Sequence, residues 1–599
     1  MKITLAVLLL LSALPAALAS ADNRYCAAGD VPEFTTIQGP ASAPSTCFNT
    51  ARINTRSPGK IWHLSSGANI TSAYNAAGCG DVIELQAGGV FNAFTLAAKH
   101  CDDQHWITIK SAGFANLPPE GARVTPCYAG IASLPGRAYP CSTARNVMAK
   151  VLLKVTSDQI KLTNADHIRL LGLEITIKAG VGIVYRFVDG GTSYKTIIDQ
   201  CWLHGDADSI GDEANHGVFT DLSTYLAAVD SYFNDFKCIA SIGTCTDAQA
   251  IFGGIGSPGG AWGTYKFVNN FVEASGENVM FGGGPATAAP DGMEIRRNDF
   301  FKPEMWMPSS PNYDGGVKGH PLAVKNCFEL KNGTHVFMEG NIFDGSWGGF
   351  SQVGNCVTLT PKNQSNECPN CVVANVVIRH SLIRNVCEAF QIVDSPSDSA
   401  GWALGGNNYS IYDIVAYGLL KAGWYKCGGY LNQINTTTTA TPGEELYEIY
   451  LDHITEYSNN AISGLNTGLI VMGGPMSPKQ SHVVVTNSIL PSLRYGIHNV
   501  GGSSNQCAYG KSNVALLHTC LYPLVCTNNL FAGTGGGAWT DATYPHNLVV
   551  SSQSAVGYSN VTAMNFQLLP KSPGYKKATD GTDIGANMPL VNSYIAGVE

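Results

Sequence analysis

Residues 265–281 read YKFVNNFVEASGENVMF, and Asn270-Phe271-Val272 within them is one copy of a recurring strand pattern. In this pattern a small polar residue precedes two apolar or aromatic residues, and a turn follows. The copies lie about 30 to 40 residues apart: Cys201-Trp202-Leu203, Ser231-Tyr232-Phe233, Asn270-Phe271-Val272, Asp299-Phe300-Phe301, Asn341-Ile342-Phe343, Ser381-Leu382-Ile383, Asp413-Ile414-Val415, His453-Ile454-Thr455, Ser488-Ile489-Leu490 and Asn529-Leu530-Phe531. This period, with short β-branched strands, predicts stacked coils that share one long core. The polar position predicts an Asn/Ser ladder on an inside bend.

The chain has 599 residues, more than a compact domain usually needs, but the core of a solenoid grows along one dimension. The net charge of -9 gives no basic stripe, so we expect neither nucleic acid nor membrane as a partner. Lys2, the apolar run 5–18 and Ala17-Leu18-Ala19 predict a signal peptide over residues 1–20. We therefore expect a soluble protein secreted to the extracellular space or the periplasm.

The 18 cysteines all follow the predicted signal peptide, in a chain expected to enter an oxidising compartment. Disulfides are the expected state, and Cys238/Cys245 and Cys368/Cys371 are candidate local pairs. Cys368-Pro-Asn-Cys371 has no second Cys-x-x-Cys with which to complete a zinc site, so we interpret it as a turn staple.

After the predicted signal peptide we expect an arm over residues 21–60 and one domain of stacked coils over residues 61–599. A short helix is predicted at residues 69–77, near the start of this domain. Asn69 or Thr71 would cap the helix, which we expect to cover the open end of the coils. Residues 112–150 and 302–325 break the period as long loops, which often carry function. The second loop holds Trp306 and Tyr313, which would either form a stacking platform for sugar rings or pack within the loop.

The opening GDVIELQAG (80–88), the coil pattern and the ending NFQLLPKSPGYKKATDGTDIGAN (565–587) resemble the pectin-lyase-like superfamily of secreted proteins. The resemblance covers about residues 61–590 and implies an all-β, right-handed parallel β-helix with a short N-terminal capping helix and long loop insertions. It is less specific for the reaction, because this superfamily includes lyases, hydrolases, esterases and adhesins.

Alignment of the coils places a first group of polar side chains near one edge. Three types of chemistry fit it: calcium binding by carboxylates, glycoside hydrolysis by two carboxyl groups, or proton abstraction by a lysine. Turn residues on a solvated rim would show the same pattern. We assign Asp206 and Asp208 to a Ca²⁺ ion. Catalysis is assigned to Lys237, Asp247 and Glu277, and substrate binding to Trp306, Tyr313, Trp347, Gln352 and Glu388.

A second group lies in the segment 319–341, where Glu329 and Lys331 alternate on one strand and so face the same side. This pair would be either a catalytic site on the groove or a solvated ion pair. It loosely resembles the carboxylate–lysine strand of the chondroitinase-B/alginate lyase branch. That branch has a catalytic arginine on the following coil, whereas here the nearest cation is Lys362. The motifs of the polygalacturonase branch are absent.

These patterns predict a secreted, monomeric enzyme that cleaves an extracellular polysaccharide. The first hypothesis is a lyase that acts on a uronate-containing polymer, with Lys237 or Lys331 as the base. The second is a glycoside hydrolase that uses two of Asp206, Asp247, Glu277 and Glu388. The third is a carbohydrate-binding or surface solenoid without catalysis. Calcium is the one cofactor for which the sequence offers ligands.

Overall fold

Successive strands pair in parallel with strands one coil away in a computed structural model of the chain. The residues that the structure describes are 24, 26, 34, 36–206, 211–239, 245, 247–260, 262–393, 401–419, 425–428, 431–435, 447–458, 471–472, 481–492, 496, 498–499, 507, 509, 514–521, 523–533 and 543–599.

The first and larger sheet, sheet 1, receives two strands, or one long strand, from most coils. Its 25 strands among the described residues are Ile61–Leu64, Val82–Leu85, Val90–Asn92, Ile107–Ser111, Ala149–Leu153, Asp166–Leu171, Leu173–Ile177, Tyr194–Asp199, Trp202–His204, Thr224–Val229, Tyr232–Phe236, Gly263–Val268, Phe271–Ala274, Asp291–Arg296, Asp299–Phe301, Gly333–Glu339, Ile342–Ser346, Val373–Val386, Asn407–Leu419, Tyr447–Ser458, Ser481–Thr486, Ile489–Pro491, Leu524–Thr527, Leu530–Ala532 and Leu548–Val550.

The second sheet, sheet 2, receives one strand from each coil. Its 12 strands among the described residues are Thr95–Leu96, Ile160–Leu162, Ile183–Asp189, Glu213–Phe219, Gln249–Gly253, Glu277–Phe281, Phe328–Leu330, Asn355–Leu359, Glu388–Val393, Asn432–Asn435, Val471–Met472 and His498–Asn499. A hairpin and three helices complete the described elements: Tyr558–Asn560 with Asn565–Leu568, and Ile70–Ala76, Val514–Cys520 and Met588–Ile595. None of these described helices has the length and apolar character needed to cross a membrane.

The core consists of apolar side chains stacked in register from coil to coil. One column of buried side chains runs through Ile175, Leu203, Phe233, Val272, Phe300, Phe343 and Ile383. Because no coil can bury its inner face alone, each depends on its neighbours. The predicted parallel β-helix fold is therefore confirmed.

A ladder of polar side chains follows the bend between the two strands of a coil in sheet 1. The Asn298 backbone N–H donates to Asn341 Oδ1 at 3.0 Å, and Asn298 Oδ1 accepts from the Asn270 N–H at 3.0 Å. The same bond joins Cys201 to Ser231, Ser231 to Asn270, Asn341 to Ser381, Ser488 to Asn529 and Asn529 to Asn547. The predicted ladder is thus confirmed.

The sequence pattern placed three coils one residue out of register. The ladder residue is Asn298 rather than Asp299, and Ile414 and Ile454 occupy the positions assigned to Asp413 and His453. Asp413 and His453 have positive φ values of 51° and 48°, a left-handed conformation that Asp, Asn and His tolerate better than most residues. In these two coils the sequence pattern took the polar residue of the left-handed turn for the ladder residue that follows it.

We expect Asn298→Ala to destabilise the fold by about 2–3 kcal/mol, because the buried Asn270 N–H loses its acceptor. Asn298→Ser should lose less, since serine fills the same position in neighbouring coils. Urea unfolding followed by tryptophan fluorescence measures both, with the exposed Asn116→Ala as the control. An Asn298→Ala midpoint equal to that of Asn116→Ala would contradict the role of the ladder.

The first helix covers the N-terminal end of the β-helix. Asn69 caps this helix by accepting from the Ser72 N–H at 2.9 Å, and Ile70 and Tyr74 enter the core as expected for a capping helix. The C-terminal segment packs on the outer side of sheet 1 away from the ends, where Phe566, Met588 and Val591 meet Ile342, Leu382 and Val415.

The predicted arm follows the outside of sheet 1, where the Phe34 ring stacks on Phe337 at 4.1 Å between centroids. The division at residues 20 and 60 stays a prediction, and residues 1–23 lie outside the described part.

Eight disulfides join described cysteines, and the two local pairs expected from the sequence are among them: Cys26–Cys47, Cys79–Cys101, Cys127–Cys141, Cys238–Cys245, Cys327–Cys356, Cys368–Cys371, Cys387–Cys427 and Cys507–Cys520. Cys201 and Cys526 are buried thiols. So many disulfides are typical of proteins that fold in an oxidising compartment.

Candidate active site

Ionisable side chains from four neighbouring segments meet on the outer side of sheet 2. Parallel pairing aligns Gln249 with Glu277, and Met280 with Glu329 on the next strand. Glu329 lies between the core residues Phe328 and Leu330, and Lys331 follows Leu330. Because side chains alternate along a strand, both Glu329 and Lys331 point away from the core. Their side chains meet, with Lys331 Nζ 3.1 Å from Glu329 Oε1.

Lys325 joins two acidic residues of this cluster. Its Nζ lies 2.9 Å from Asp247 Oδ2 and 3.3 Å from Glu277 Oε1. Gln249 Nε2 also donates to Glu277 Oε2 at 2.7 Å. Glu277 is fully buried, whereas the Asp247 side chain is 34% exposed, so solvent reaches the pair from the Asp247 side.

The environment moves the pKa values of the two carboxyl groups in opposite directions. Burial and the neighbouring Glu277 carboxylate raise the pKa of Asp247 well above its usual range. Burial also opposes ionisation of Glu277, but the Lys325 ammonium and a hydrogen bond with Asp247 outweigh it and hold the pKa of Glu277 well below its usual range. Of the two carboxyl groups, Asp247 therefore keeps its proton to the higher pH.

The two other charged groups of the cluster respond to the same carboxylate. Burial, opposed by Lys331 and assisted by Glu277, raises the pKa of Glu329. Burial lowers the pKa of Lys325, but Glu277 and Asp247 more than reverse this, so the ammonium form persists at neutral pH. Lys325 is thus a fixed cation rather than a base.

Several oxygens of the cluster have no hydrogen-bond donor among the described groups. They are Asp247 Oδ1, Gln249 Oε1 and Glu329 Oε2, all shielded from solvent. Buried acceptors of this kind are costly unless a proton, water, cation or ligand satisfies them. A proton on Asp247 supplies one such donor, in agreement with its raised pKa.

Lys237 and Asp206, which were assigned roles from the sequence, lie on a neighbouring turn and apart from this cluster. Lys237 Nζ donates to the Asp206 carbonyl oxygen at 3.0 Å and lies 3.6 Å from Asp235 Oδ1, so its described contacts are with these residues. Asp208 lies outside the described residues, which leaves the calcium assignment of Asp206 and Asp208 a prediction.

The aromatic residues assigned to substrate binding differ in exposure. Trp306 and Trp347 are each 1% exposed and share a small apolar cluster with Ile239 and Leu322. The structure therefore favours the alternative in which the 302–325 loop packs its own aromatic side chains, because neither indole presents a face to solvent. Tyr313 remains partly exposed.

The remaining assigned residues lie at the margin of the cluster or beyond it. Gln352 is partly exposed in the turn before Asn355–Leu359. Glu388 is buried three strands from Glu277 on sheet 2, where its Oε2 accepts from Gln433 Nε2 at 2.8 Å. No described contact joins it to the carboxyl cluster, so its role in binding stays a prediction.

Lys325 receives no role from the sequence, because it belongs to a loop whose reach cannot be inferred from strand spacing. Lys302 was also missed: its buried Nζ donates to the carbonyl oxygens of Ala274 and Gly276 at 2.7 and 2.6 Å. These bonds hold the turn immediately before Glu277. Neither residue stands in a motif that marks it in the sequence.

Among the described residues, one group has ligand atoms close enough together for a metal ion: Glu213, Cys238 and Cys245. Its two sulfurs are joined in a disulfide, so they are not thiolate ligands. This group therefore adds no ligands for the predicted calcium ion.

No family model matches this sequence, and no curated protein matches it significantly. Solved structures with a similar course of the chain include an alginate lyase from Paenibacillus sp. (14% identity, TM-score 0.28, 67% of this chain and 96% of that one). A PL6 family polysaccharide lyase from Pseudopedobacter saltans matches at 10% identity and TM-score 0.34 over 86% of this chain and 98% of the other.

An endo-xylogalacturonan hydrolase from Aspergillus tubingensis matches at 10% identity and TM-score 0.24 over 70% and 89% of the two chains. At such identities and TM-scores the likeness says nothing about the reaction of this chain. Its class, a parallel β-helix protein, is defined by its own strand pairing.

Proposed function

We propose that this protein is a secreted enzyme that cleaves an extracellular polysaccharide by hydrolysis at Asp247 and Glu277. The observation that carries the proposal is the Lys325 ammonium between the two carboxyl groups, which have pKa values displaced in opposite directions. Two carboxyl groups whose pKa values differ in this way can supply the acid and the base of a reaction at a single pH.

Each group has a distinct part in this reaction. The partly exposed Asp247 gives its proton to the glycosidic oxygen as the bond from that oxygen to the sugar carbon breaks. Glu277 accepts a proton from the attacking water, whose oxygen bonds to the same carbon. Lys325 is a positioning residue, because it keeps Glu277 ionised and orients both carboxyl groups.

Elimination is the second candidate, supported by the outward-facing pair Glu329 and Lys331. In this reaction a neutral lysine would remove a proton beside the carboxyl group of a uronate. The raised pKa of Lys325 makes that lysine unsuitable as the base and leaves Lys331 for the role. Hydrolysis ranks first because its acid and base already differ in protonation.

A panel of soluble polysaccharides, neutral and uronate-containing, tests the proposal. Each is assayed for new reducing ends and for the ultraviolet absorbance of the unsaturated sugar that elimination forms. Hydrolysis by Asp247 and Glu277 gives reducing ends without the absorbance. Both signals together, lost in Lys331→Met, would establish the lyase instead. No cleavage of any polymer would reject both reactions.

The pH profile of the cleavage rate is expected to be bell-shaped. Activity falls on the acid side as Glu277 takes up a proton, at a pH below the usual range for Glu, and on the alkaline side as Asp247 loses its proton, at a pH above the usual range for Asp. Removing the ammonium in Lys325→Met should raise the pKa of Glu277 and move the acid limb upward by at least about one pH unit. The exposed Lys154→Met is the control. An unmoved acid limb would contradict the role of Lys325.

Calcium enters the proposal only as a condition to be tested. Of its predicted ligands, Asp206 has no described contact with the carboxyl cluster and Asp208 lies outside the described residues, and the proposed hydrolysis uses protons alone. We expect a chelator to leave the rate unchanged, whereas loss of activity that added Ca²⁺ restores would support the sequence assignment.

A further inference from the structure

Flat side chains form a continuous stack on the outer side of sheet 2, beside the carboxyl cluster. The His216 and Phe252 rings lie 4.6 Å apart between centroids and only 12° from parallel. The Phe219 ring lies 5.5 Å from Phe252 on the same stack, and the Arg186 guanidinium carbon lies 4.0 Å above Phe219. We call His216, Phe219, Phe252 and Arg186 the aromatic shelf.

Strand register connects the shelf to the catalytic groups. His216 is aligned with Gln249 and, one strand further, with Glu277, while Phe252 is aligned with Met280. Neighbouring strands are about 4.8 Å apart, so the His216 strand lies about 10 Å from the Glu277 strand along the axis of the coils. The shelf and the carboxyl cluster therefore occupy one surface, on successive coils.

The shelf differs from the buried tryptophans in its access to solvent. His216, Phe252 and Arg186 are partly exposed, whereas Phe219 lies beneath them, 3% exposed. Burial, assisted by Arg186, lowers the pKa of His216 to about 3, so its ring is neutral at the pH of the reaction. Half-exposed aromatic rings such as His216 and Phe252, at the side of a polar cluster, are typical walls of a ligand-binding site.

We propose that the aromatic shelf binds one pyranose ring of the polysaccharide, through the apolar face of the sugar, while the bond that is cleaved lies at Asp247 and Glu277. This inference rests on the proposed function and adds to it the direction of the substrate, which runs along the axis of the coils. Hydroxyl groups at the edge of the sugar can reach the polar groups that flank the rings. The shelf thus sets affinity for long chains, and the carboxyl pair sets the rate of bond breaking.

The test uses the panel polysaccharide that the wild-type enzyme cuts, with Phe252→Leu as the decisive variant. Leucine fills the apolar volume but lacks the flat face, so we expect KM to rise about tenfold with kcat changed less than about twofold. Phe252→Tyr should restore the wild-type KM. His216→Gln gives an independent reading if Phe252→Leu fails to fold.

Binding measured without cleavage separates this inference from the proposed function. In a Glu277→Gln background, the polymer should slow the migration of the protein in an affinity gel, and Phe252→Leu should abolish most of that shift. Tyr194→Leu, an exposed aromatic residue on sheet 1, is the matched control and should leave the shift intact.

The outcomes differ for the two proposals. Unchanged KM and unchanged gel shift in both Phe252→Leu and His216→Gln would overturn the shelf while hydrolysis stands. If the wild-type protein cuts none of the polymers but binds one through the shelf, the proposed function fails and the inference holds. If the wild-type protein neither cuts nor binds any of them, both fail.

Discussion

Replacing Glu277 by Gln is expected to lower kcat by at least about a thousandfold, with little change in KM. The amide cannot accept the proton of the attacking water, and it also removes the negative charge that raises the pKa of Asp247. Initial rates of reducing-end formation on the cleaved polysaccharide measure the effect. Asp247→Asn should have a similar result, because the leaving oxygen then receives no proton.

The matched control for Glu277→Gln is Asp291→Asn, which also replaces a carboxylate by an amide but lies on sheet 1. Asp291 is largely exposed, and its side chain accepts hydrogen bonds from Thr334 and His335. Both variants should unfold close to the temperature of the wild-type protein. If folded Glu277→Gln keeps more than about a tenth of wild-type kcat, Glu277 is not the base.

Asp199→Asn is expected to lower the free energy of unfolding by about 3–5 kcal/mol. Asp199 is fully buried and contacts three arginines, Arg24 of the N-terminal arm, Arg52 and Arg169. Asparagine would leave the buried Arg169 guanidinium without its counter-charge, whereas Arg24 keeps Asp230 and Glu120 as partners. Thermal and urea unfolding measure the change, and protease sensitivity of the arm reports whether Arg24 is released.

The pH dependence of stability gives a second reading of the same group. The three arginines outweigh burial and hold the pKa of Asp199 far below its usual range, so its contribution is present at neutral pH and is lost as the pH falls below the unfolded-state value of about 3.9. In Asp199→Asn this acid-dependent loss should shrink. The exposed Asp102→Asn serves as the control. Equal stability of Asp199→Asn and wild type would contradict the arginine cluster.

Coil periodicity was sufficient to predict the fold, because the polar-apolar-apolar pattern around Asn270 and Asn341 reflects a physical requirement of every coil. The polar residue fills the ladder, and the apolar residues fill the shared core. The register of single coils was less certain. Asp299 follows the ladder residue Asn298, whereas Asp413 and His453 precede the ladder position, which Ile414 and Ile454 occupy in those coils.

The site was partly predictable for the same reason. Coil alignment placed Glu277 in the first group, and strand alternation placed Glu329 and Lys331 together in the second; the pairing of the strands brings the two groups to one surface. Lys325 and the tryptophans belong to loops, and their contacts depend on how the 302–325 and 347–354 segments fold over the coils. Trp306 was assigned either to a platform for sugar rings or to packing within its loop, and Trp347 to substrate binding, whereas the structure buries both.

The most direct test of the account is a crystal structure of Glu277→Gln with an uncut oligosaccharide of the cleaved polymer. We expect the glycosidic oxygen to lie within about 3 Å of an Asp247 carboxyl oxygen, and a sugar ring to lie against His216 and Phe252. An oligosaccharide bound on a different face of the coils, or with its glycosidic oxygen beyond the reach of Asp247, would contradict it.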